Sequence, residues 1–346
     1  MQMKNIGRTG LKSHPISLGT MTYGTQTPEA DAHRQLDMAV EAGINLIDTA
    51  ELYPVNPIKT ETCGASEAII GNWLAASGKR DKVLIATKVS GAGSAVRGGA
   101  PISPASLKEA VDSSLKRLKT DVIDLYQLHW PNRGSYHFRQ NWSFDASGQD
   151  TNTALADIEA ALETLQELVE AGKIRHIGLS NESAWGLGNY LRLAEAKGLP
   201  RVATVQNEYS LMCRHYDLDL AETSHHEDVG LLAFSPLATG LLTGKYSQGA
   251  TPEGSRRCLN ANLGGRINPA SLRVADEYVA LARAHGLDPV HMAVAFCSSR
   301  PFMAAAIIGA TTSEQLAHII DGADLVLSDE VLTGIQEIYR RDPMPM

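Results

Sequence analysis

Two hydrophobic rhythms alternate along the chain. Short apolar runs of strand length are separated by stretches in which apolar residues recur every three or four positions, the spacing of one helical face. The runs are Ile16–Leu18, Ile44–Asp48, Val83–Lys88, Ile123–His129, His176–Ser180, Val202–Gln206, Gly230–Phe234 and Ala305–Ile308. Between them the pattern predicts helices over Asp31–Glu41, Ser66–Ala76, Ala184–Lys197, about Leu218–His226, about Pro269–His285 and onward from about Pro289. Two further helices are especially well marked. One has Leu107, Ala110, Val111, Leu115 and Leu118 on one face, Ser103 to cap its first amides and Pro104 at the position where a missing N–H costs nothing. The other has Ile158, Ala161, Leu162, Leu165, Leu168 and Val169 on one face and stops at Gly172. Ahead of all these, residues 1 to about 14 read as a β-hairpin turning at Arg8-Thr9-Gly10.

Eight runs, each followed by a helix, imply parallel strands, because a helical crossover returns the chain to start the next strand at the same end. Eight parallel strands close on themselves. The expected fold is therefore α/β, a (β/α)8 TIM barrel with an N-terminal β-hairpin. No linker or compositional break divides it, so residues 1–346 are expected to form one domain. Three connections, at about 89–102, 131–152 and 239–268, exceed what a barrel needs and are expected to be functional loops at the C-terminal face. The first is Gly-rich. The second carries Tyr136, Phe138, Trp142 and Phe144, which suits the wall of an apolar pocket, and the third carries Lys245, Arg256 and Arg257, which suits an anion.

Composition narrows the function classes. With 43% hydrophobic and 20% charged residues the chain has ample core, and a net charge of −8 argues against a nucleic-acid surface. The N-terminus lacks a signal-peptide apolar run and no segment is long enough to span a membrane, so a cytoplasmic protein is expected. Cys63, Cys213, Cys258 and Cys297 show no Cys-x-x-Cys spacing and suggest neither disulfides nor a zinc ribbon.

The candidate chemistry sits where runs end. Ile44-Asn45-Leu46-Ile47-Asp48 is followed at once by Thr49-Ala50-Glu51-Leu52-Tyr53, the next run stops at Lys88, and the one after stops at His129. Each residue alone has a plainer role: Asp as a helix cap, Lys as a solvated charge, His or Tyr as a packed ring. Delivered together at the C-terminal ends of successive barrel strands, they form a proton-transfer site. A phenol titrates near pH 10 and donates poorly at neutrality. An ammonium about 4 Å away, at an effective dielectric of about 20, favours the phenolate by about 4 kcal/mol before desolvation is subtracted. Asp48 would hold Lys88 charged, and His129 would hydrogen-bond a carbonyl oxygen.

These motifs, together with Lys173-Ile-Arg-His-Ile-Gly-Leu-Ser180-Asn181, Leu125-Tyr-Gln-Leu-His129-Trp-Pro and Phe234-Ser235-Pro236-Leu237, resemble the aldo-keto reductases over nearly the whole chain. Within that superfamily the likeness is to the bacterial Tas-like reductases, and more distantly to potassium-channel β subunits. The resemblance implies a barrel that binds NADPH without a Rossmann domain and reduces a small aldehyde or ketone by hydride transfer from nicotinamide C4. It implies Tyr53 as general acid, with Asp48, Lys88 and His129 completing a tetrad. For NADPH/NADP+ it implies Ser180, Asn181 and Gln206 at the carboxamide, Phe234 stacked on the ring, and Thr20, Met21 and Asp48 lining the same pocket. Ser235, Pro236, Leu237, Ala238, Gly240 and Leu242 would wrap the pyrophosphate. Lys245, Ser255, Arg256, Gly309, Thr311 and Gln315 would meet the ribose phosphate and adenine, where cations favour NADP over NAD.

The residues themselves agree that no Rossmann fingerprint is present, since Gly91-Ala-Gly93 and Gly186-Leu-Gly188 both lack the third glycine. Gly240-Leu-Leu-Thr-Gly244-Lys245 is not spaced as a Walker motif. Thr312 and Gln315 also fit a ligand-free capping box, and Ser180-Asn181 also fits the approach to a helix near Ser183. Where the resemblance leads one to expect an acidic or polar residue and then Asn after Gln315, this chain has His318 and Ile319. No metal is expected: His225-His226-Glu227-Asp228 reads as a solvated helix end, and Asp48 and His129 are too few for a metal-assisted hydrolase. The alternative function is a redox-sensing regulatory subunit that binds NADP(H) and turns over slowly. Nothing in the sequence specifies an oligomeric state.

Overall fold

A computed structural model describes residues 2–346. The chain begins with an antiparallel hairpin of β1 (Lys4–Asn5) and β2 (Lys12–Ser13), then enters β3 (Ile16–Gly19), α1 (Glu29–Glu41), β4 (Leu46–Asp48), α2 (Ala65–Ser77), β5 (Leu84–Val89), α3 (Pro104–Leu118) and β6 (Ile123–Leu128). It continues through α4 (Thr151–Glu170), β7 (Ile174–Ser180), α5 (Ala184–Lys197), β8 (Val202–Glu208), α6 (Asp219–Glu227), β9 (Gly230–Phe234), the single-turn α7 (Arg256–Leu259), α8 (Pro269–Ala284), α9 (Pro289–Ser298), β10 (Met303–Ile308), α10 (Ser313–Asp321) and α11 (Asp329–Arg341). Strands β3 to β10 form a closed parallel barrel in chain order, β10 pairing back onto β3 through Ala306 opposite Ile16. The TIM-barrel expectation holds.

Local chemistry explains the helix starts. The Ser103 side chain accepts from the Ser106 amide, with Pro104 first in α3, and Asn268 and Pro269 repeat the device at α8. Asp150 caps α4 and Ser183 caps α5. Helix α4 starts at Thr151, well before the apolar stripe that marks it in the sequence, and β7 and β8 each run two residues past their predicted bounds, to Ile174 at the start and Glu208 at the end. Helix α11 was not anticipated. Its signal was legible: Ser328 caps it, and Val331, Ile335 and Ile338 are its buried face.

The hairpin closes one end of the barrel. Ile6 packs with Leu46, Ala203, Leu232 and Ala304, all near the N-terminal ends of strands, and the Ser13 hydroxyl donates to the Ala304 carbonyl at 3.1 Å. The opposite, C-terminal end stays open to the long loops. Outside, helices pack tightly enough to need glycine in places. A Cβ on Gly71 in α2 would lie 2.1 Å from the Arg117 carbonyl of α3. Gly71→Ala is expected to push these helices apart and lower stability by about 1–3 kcal/mol in denaturant unfolding; an unchanged midpoint would show that the contact yields without strain.

Candidate active site

Strand β4 ends on Asp48 and β5 brings Lys88 to its penultimate position, both pointing into the barrel. The Lys88 ammonium is fully buried and donates to Asp48 Oδ2 at 2.8 Å and to the Thr49 carbonyl at 2.7 Å. The other carboxylate oxygen, Asp48 Oδ1, accepts from Gln206 Nε2 at 2.8 Å and Gln127 Nε2 at 3.3 Å, while Gln206 also donates to Gln127 Oε1 at 3.1 Å. Both oxygens of this buried carboxylate thus accept hydrogen bonds, the condition under which burial is tolerable. Gln127 was missed in the sequence. It lies opposite Lys88 in the β5–β6 register and two residues before His129, hence on the same inner face.

Beyond β4 the chain turns so that the Tyr53 hydroxyl sits 3.4 Å from Lys88 Nζ, with the ammonium 4.8 Å from the ring centre. His129, just past β6, presents its ring edge-on to Tyr53 at 5.9 Å between centroids. The structure therefore brings Asp48, Tyr53, Lys88 and His129 together. Burial is the largest influence on Tyr53 and raises its pKa; Lys88 pulls it down, Asp48 pushes it up, and the net shift is upward. Lys88 acts on the phenol in the expected direction, but desolvation outweighs it, so the net shift runs against the expected gain in acidity. Burial likewise disfavours the Lys88 ammonium, yet Asp48 and then Tyr53 more than offset it, and its pKa is raised. His129 is held well below its ordinary value, first by burial and then by Lys88, so the imidazole is neutral.

The residues expected at the cofactor ring the same opening. Thr20 donates to the Asp48 carbonyl at 2.9 Å, and the Met21 carbonyl accepts from the Val55 amide. Ser180 donates to the Gln206 carbonyl, and Asn181 Nδ2 donates to the His129 carbonyl at 2.9 Å, leaving Asn181 Oδ1 buried without a partner. Half-buried Phe234 ends β9. After it, Pro236, Leu237 and Leu242 belong to a tightly wound segment in which Ser235 (φ 56), Ala238 (φ 47), Thr239 (φ 56) and Gly240 (φ 100) all adopt left-handed backbone. Such backbone is strained for residues other than glycine and occurs at ligand clamps; within it the Ala238 and Gly240 amides close onto the Ser235 and Leu237 carbonyls at 2.8 and 2.9 Å. Among the described residues Lys245 and Arg256 have no carboxylate partner. The Arg256 guanidinium is pushed down to about 10, first by burial and next by Arg266, and its charge reaches Tyr53.

At the far end, Ser255 precedes α7, Gly309 follows β10, and the Gln315 side chain accepts from the Thr311 amide and hydroxyl at 3.1 Å while Thr312 caps α10. The Thr312 half of the capping alternative is thus realised, whereas Gln315 turns to Thr311 instead of the Thr312 amide that would complete a capping box. Ile319 is buried in the core, whereas His318 faces outward.

The long loops are anchored rather than loose. Three buried glutamates at or just beyond strand ends each take a guanidinium from a loop. Arg97 of the first loop grips Glu51 at 2.5 and 2.7 Å, and Arg133 of the second binds Glu182. Glu208 receives both Arg139 of the second loop, at 2.5 Å, and Arg266 of the third, at 2.8 and 2.9 Å. Sequence reading missed these pairs, because nothing local links a glutamate to an arginine dozens of residues away. The aromatic wall expected from the second loop is only partly formed. Phe138 meets Trp130, which packs on His129, but Tyr136 packs with Phe144 and His215, and Trp142 is 65% exposed. Arg257 donates through Nη1 to the Gly249 and Ala250 carbonyls at 2.8 and 2.7 Å. His225 and His226 lie exposed on the last turn of α6, as expected.

No helix among the described residues is long and apolar enough to cross a membrane. Comparison with known proteins adds independent information. The chain is 45% identical over 344 residues to Protein tas of Escherichia coli, covering 98% of each chain. It is 33% identical to the uncharacterized oxidoreductase YrpG of Bacillus subtilis, covering 98% of this chain and 96% of the other. It is 29% identical to a probable voltage-gated potassium channel subunit beta of Arabidopsis thaliana, covering 99% and 98%. The family model described as "Aldo/keto reductase family" matches residues 15–340, so the chain, a carbonyl-reducing oxidoreductase, belongs to the aldo/keto reductase family.

Proposed function

We propose that the chain reduces an aldehyde or ketone to the alcohol with NADPH, Tyr53 donating the proton. The observation that carries this reading is the 3.4 Å approach of Lys88 Nζ to the Tyr53 oxygen at the open end of the barrel. The chain's own groups fit a dinucleotide. The strained left-handed run at Ser235–Gly240 and the cations Lys245 and Arg256, which have no carboxylate partner among the described residues, suit phosphates, and the orphaned Asn181 Oδ1 suits an amide donor. Thr20, Met21, Asp48, Ser180 and Gln206 would line the carboxamide side, with Phe234 on the ring. Ser235 to Leu242 would hold the pyrophosphate, and Lys245, Ser255, Arg256, Gly309, Thr311 and Gln315 the ribose phosphate and adenine. A nicotinamide bound there would supply the hydride.

The remaining steps belong to the protein. Neutral His129 donates a hydrogen bond to the substrate oxygen and fixes it beside the phenol. As the oxygen gains charge, the Tyr53 proton moves to it and the negative charge passes to the phenolic oxygen. There the Lys88 ammonium stabilises it by about 5 kcal/mol at an effective dielectric of about 20. That attraction is absent for neutral tyrosine, so it lowers the barrier without tightening the ground state. Asp48, held by Gln127 and Gln206, keeps Lys88 charged and aimed.

Oxidation of NADPH across a panel of aldehydes and ketones tests the reading: saturable turnover with at least one class supports it. Tight binding with almost no oxidation on every carbonyl would instead identify a nucleotide-sensing subunit. Two sharper results follow. The double variant Lys245→Ala, Arg256→Ala is expected to weaken NADPH binding by about 10–100-fold while changing NADH binding far less; equal loss for both would place the cations away from the 2′-phosphate. The pH profile of kcat/KM is expected to be flat from about pH 6 to 9. Activity needs a protonated Tyr53, whose raised pKa puts the loss at high pH, above about 10, and a neutral His129, whose lowered pKa removes any limb near 6.5. A limb at that pH would show a titrating His129.

A further inference from the structure

We propose that Asp288, His291 and His318 form a binding site for a divalent transition metal of zinc's class, separate from the barrel mouth. Helix α9 supplies the first two residues from its cap and first turn, and α10 supplies the third. One ligand atom from each lies within 4.8 Å of the other two.

The geometry is more than a chance meeting of polar side chains, because the atoms that would not touch a metal already have partners. Asp288 Oδ1 accepts from the Val290 amide at 2.7 Å and the His291 amide at 3.2 Å, which leaves Oδ2 free to face inward. His291 Nε2 lies 2.6 Å from the His318 carbonyl oxygen; donating its N–H there leaves the Nδ1 lone pair for a ligand role. Such outer bonds orient metal-binding imidazoles and carboxylates. The His291 ring is also seated on Gly322, where a Cβ would fall 2.1 Å from a ring carbon, so packing limits its rotation. His318 Nε2 and Asp288 Oδ2 stand 3.3 Å apart, long for a charge-assisted hydrogen bond. That one separation matches the edge of a tetrahedron whose metal–ligand bonds are about 2.0–2.1 Å, roughly 3.3 Å; the three atoms together spread over as much as 4.8 Å, so a metal would draw the third ligand inward.

Two imidazole nitrogens and one carboxylate oxygen select Zn2+, Co2+ or Ni2+ over Mg2+ and Ca2+, which favour oxygen. Three protein ligands leave a fourth position for water or an external group. A metal here would tie α9 to α10 and favour the folded chain by linkage.

The test is a Co2+ titration of the metal-free, full-length chain, read by visible absorption, with Zn2+ and Mg2+ as competitors. The expected result is one Co2+ per chain, displaced by Zn2+ but not by Mg2+, without the charge-transfer band of a thiolate ligand. His318→Gln and His291→Gln should each weaken Co2+ binding at least tenfold. Zn2+ should raise the melting temperature of the parent but not of His318→Gln. His318 is exposed, and a metal-free melting temperature equal to the parent's would show that the variant folds. The double variant His225→Ala, His226→Ala should bind as the parent does. The proposal is overturned by absence of saturable binding, by binding that survives His318→Gln, by loss in the His225/His226 variant, or by a thiolate band pointing to Cys63 or Cys258.

Discussion

Tyr53→Phe is expected to lower kcat for aldehyde reduction by roughly 10²–10⁴-fold while leaving NADPH affinity within about twofold. The substitution removes one oxygen and keeps the ring, and with it the ammonium–ring contact at 4.8 Å and the packing against His129. The Asp48, Lys88, Gln127 and Gln206 network does not pass through the phenol and stays intact. What disappears is the proton and the atom on which Lys88 would stabilise developing charge. This variant is cleaner than Lys88→Met, which would leave the buried Asp48 carboxylate without its cation and confound catalysis with stability. Steady-state kinetics with a parallel binding titration of NADPH decides the matter. Parent-like turnover in Tyr53→Phe would dispose of the proton-donor assignment whatever the binding result.

The largest loss of stability is expected at Glu208. Its carboxylate, 5% exposed, lies against two guanidiniums that are themselves nearly buried, so Glu208→Ala strands two cations. Removing one partner of a buried pair costs about 3–5 kcal/mol. Burial alone would raise the Glu208 pKa, but Arg266 and then Arg139 outweigh it and the net shift is downward. The stabilisation is therefore fully present above the unfolded carboxylate value of about 4.3 and is lost as pH falls through the lower folded value. Denaturant unfolding at neutral pH should show the deficit, and limited proteolysis should show faster cutting in both 131–152 and 239–268. A loss under about 1 kcal/mol would mean that both arginines find other partners or water.

The barrel was legible because its strands are short, apolar and regularly followed by amphipathic helices, and because helix starts carry local chemistry such as Ser103-Pro104. Asp48, Lys88 and His129 were legible for a related reason: each interrupts an apolar run at its end, where a charged residue has no business unless something meets it. Tyr53 needed more, since it lies off the strand and only its partner Lys88 gives it meaning. Gln127 was hidden as an ordinary polar residue inside a strand, visible only once the β5–β6 register set it opposite Lys88. Features built from distant residues were beyond reach, including the Glu208 pairs and the Asp288, His291 and His318 cluster. The aromatic wall failed for the opposite reason: composition places rings in a loop but says nothing of which way they face, and Trp142 faces solvent.

The guanidinium anchors have a consequence for engineering substrate scope. A graft at 89–102 must retain Arg97 and also the Ile102 backbone, whose amide and carbonyl are held by Asn132 of the second loop at 2.9 and 2.8 Å. The other two loops share Glu208 as a common post, and a transplant of either must be judged with its neighbour in place. Libraries that randomise 131–152 and 239–268 jointly, holding Arg133, Arg139 and Arg266 constant, should yield more folded clones than libraries that treat them as independent cassettes.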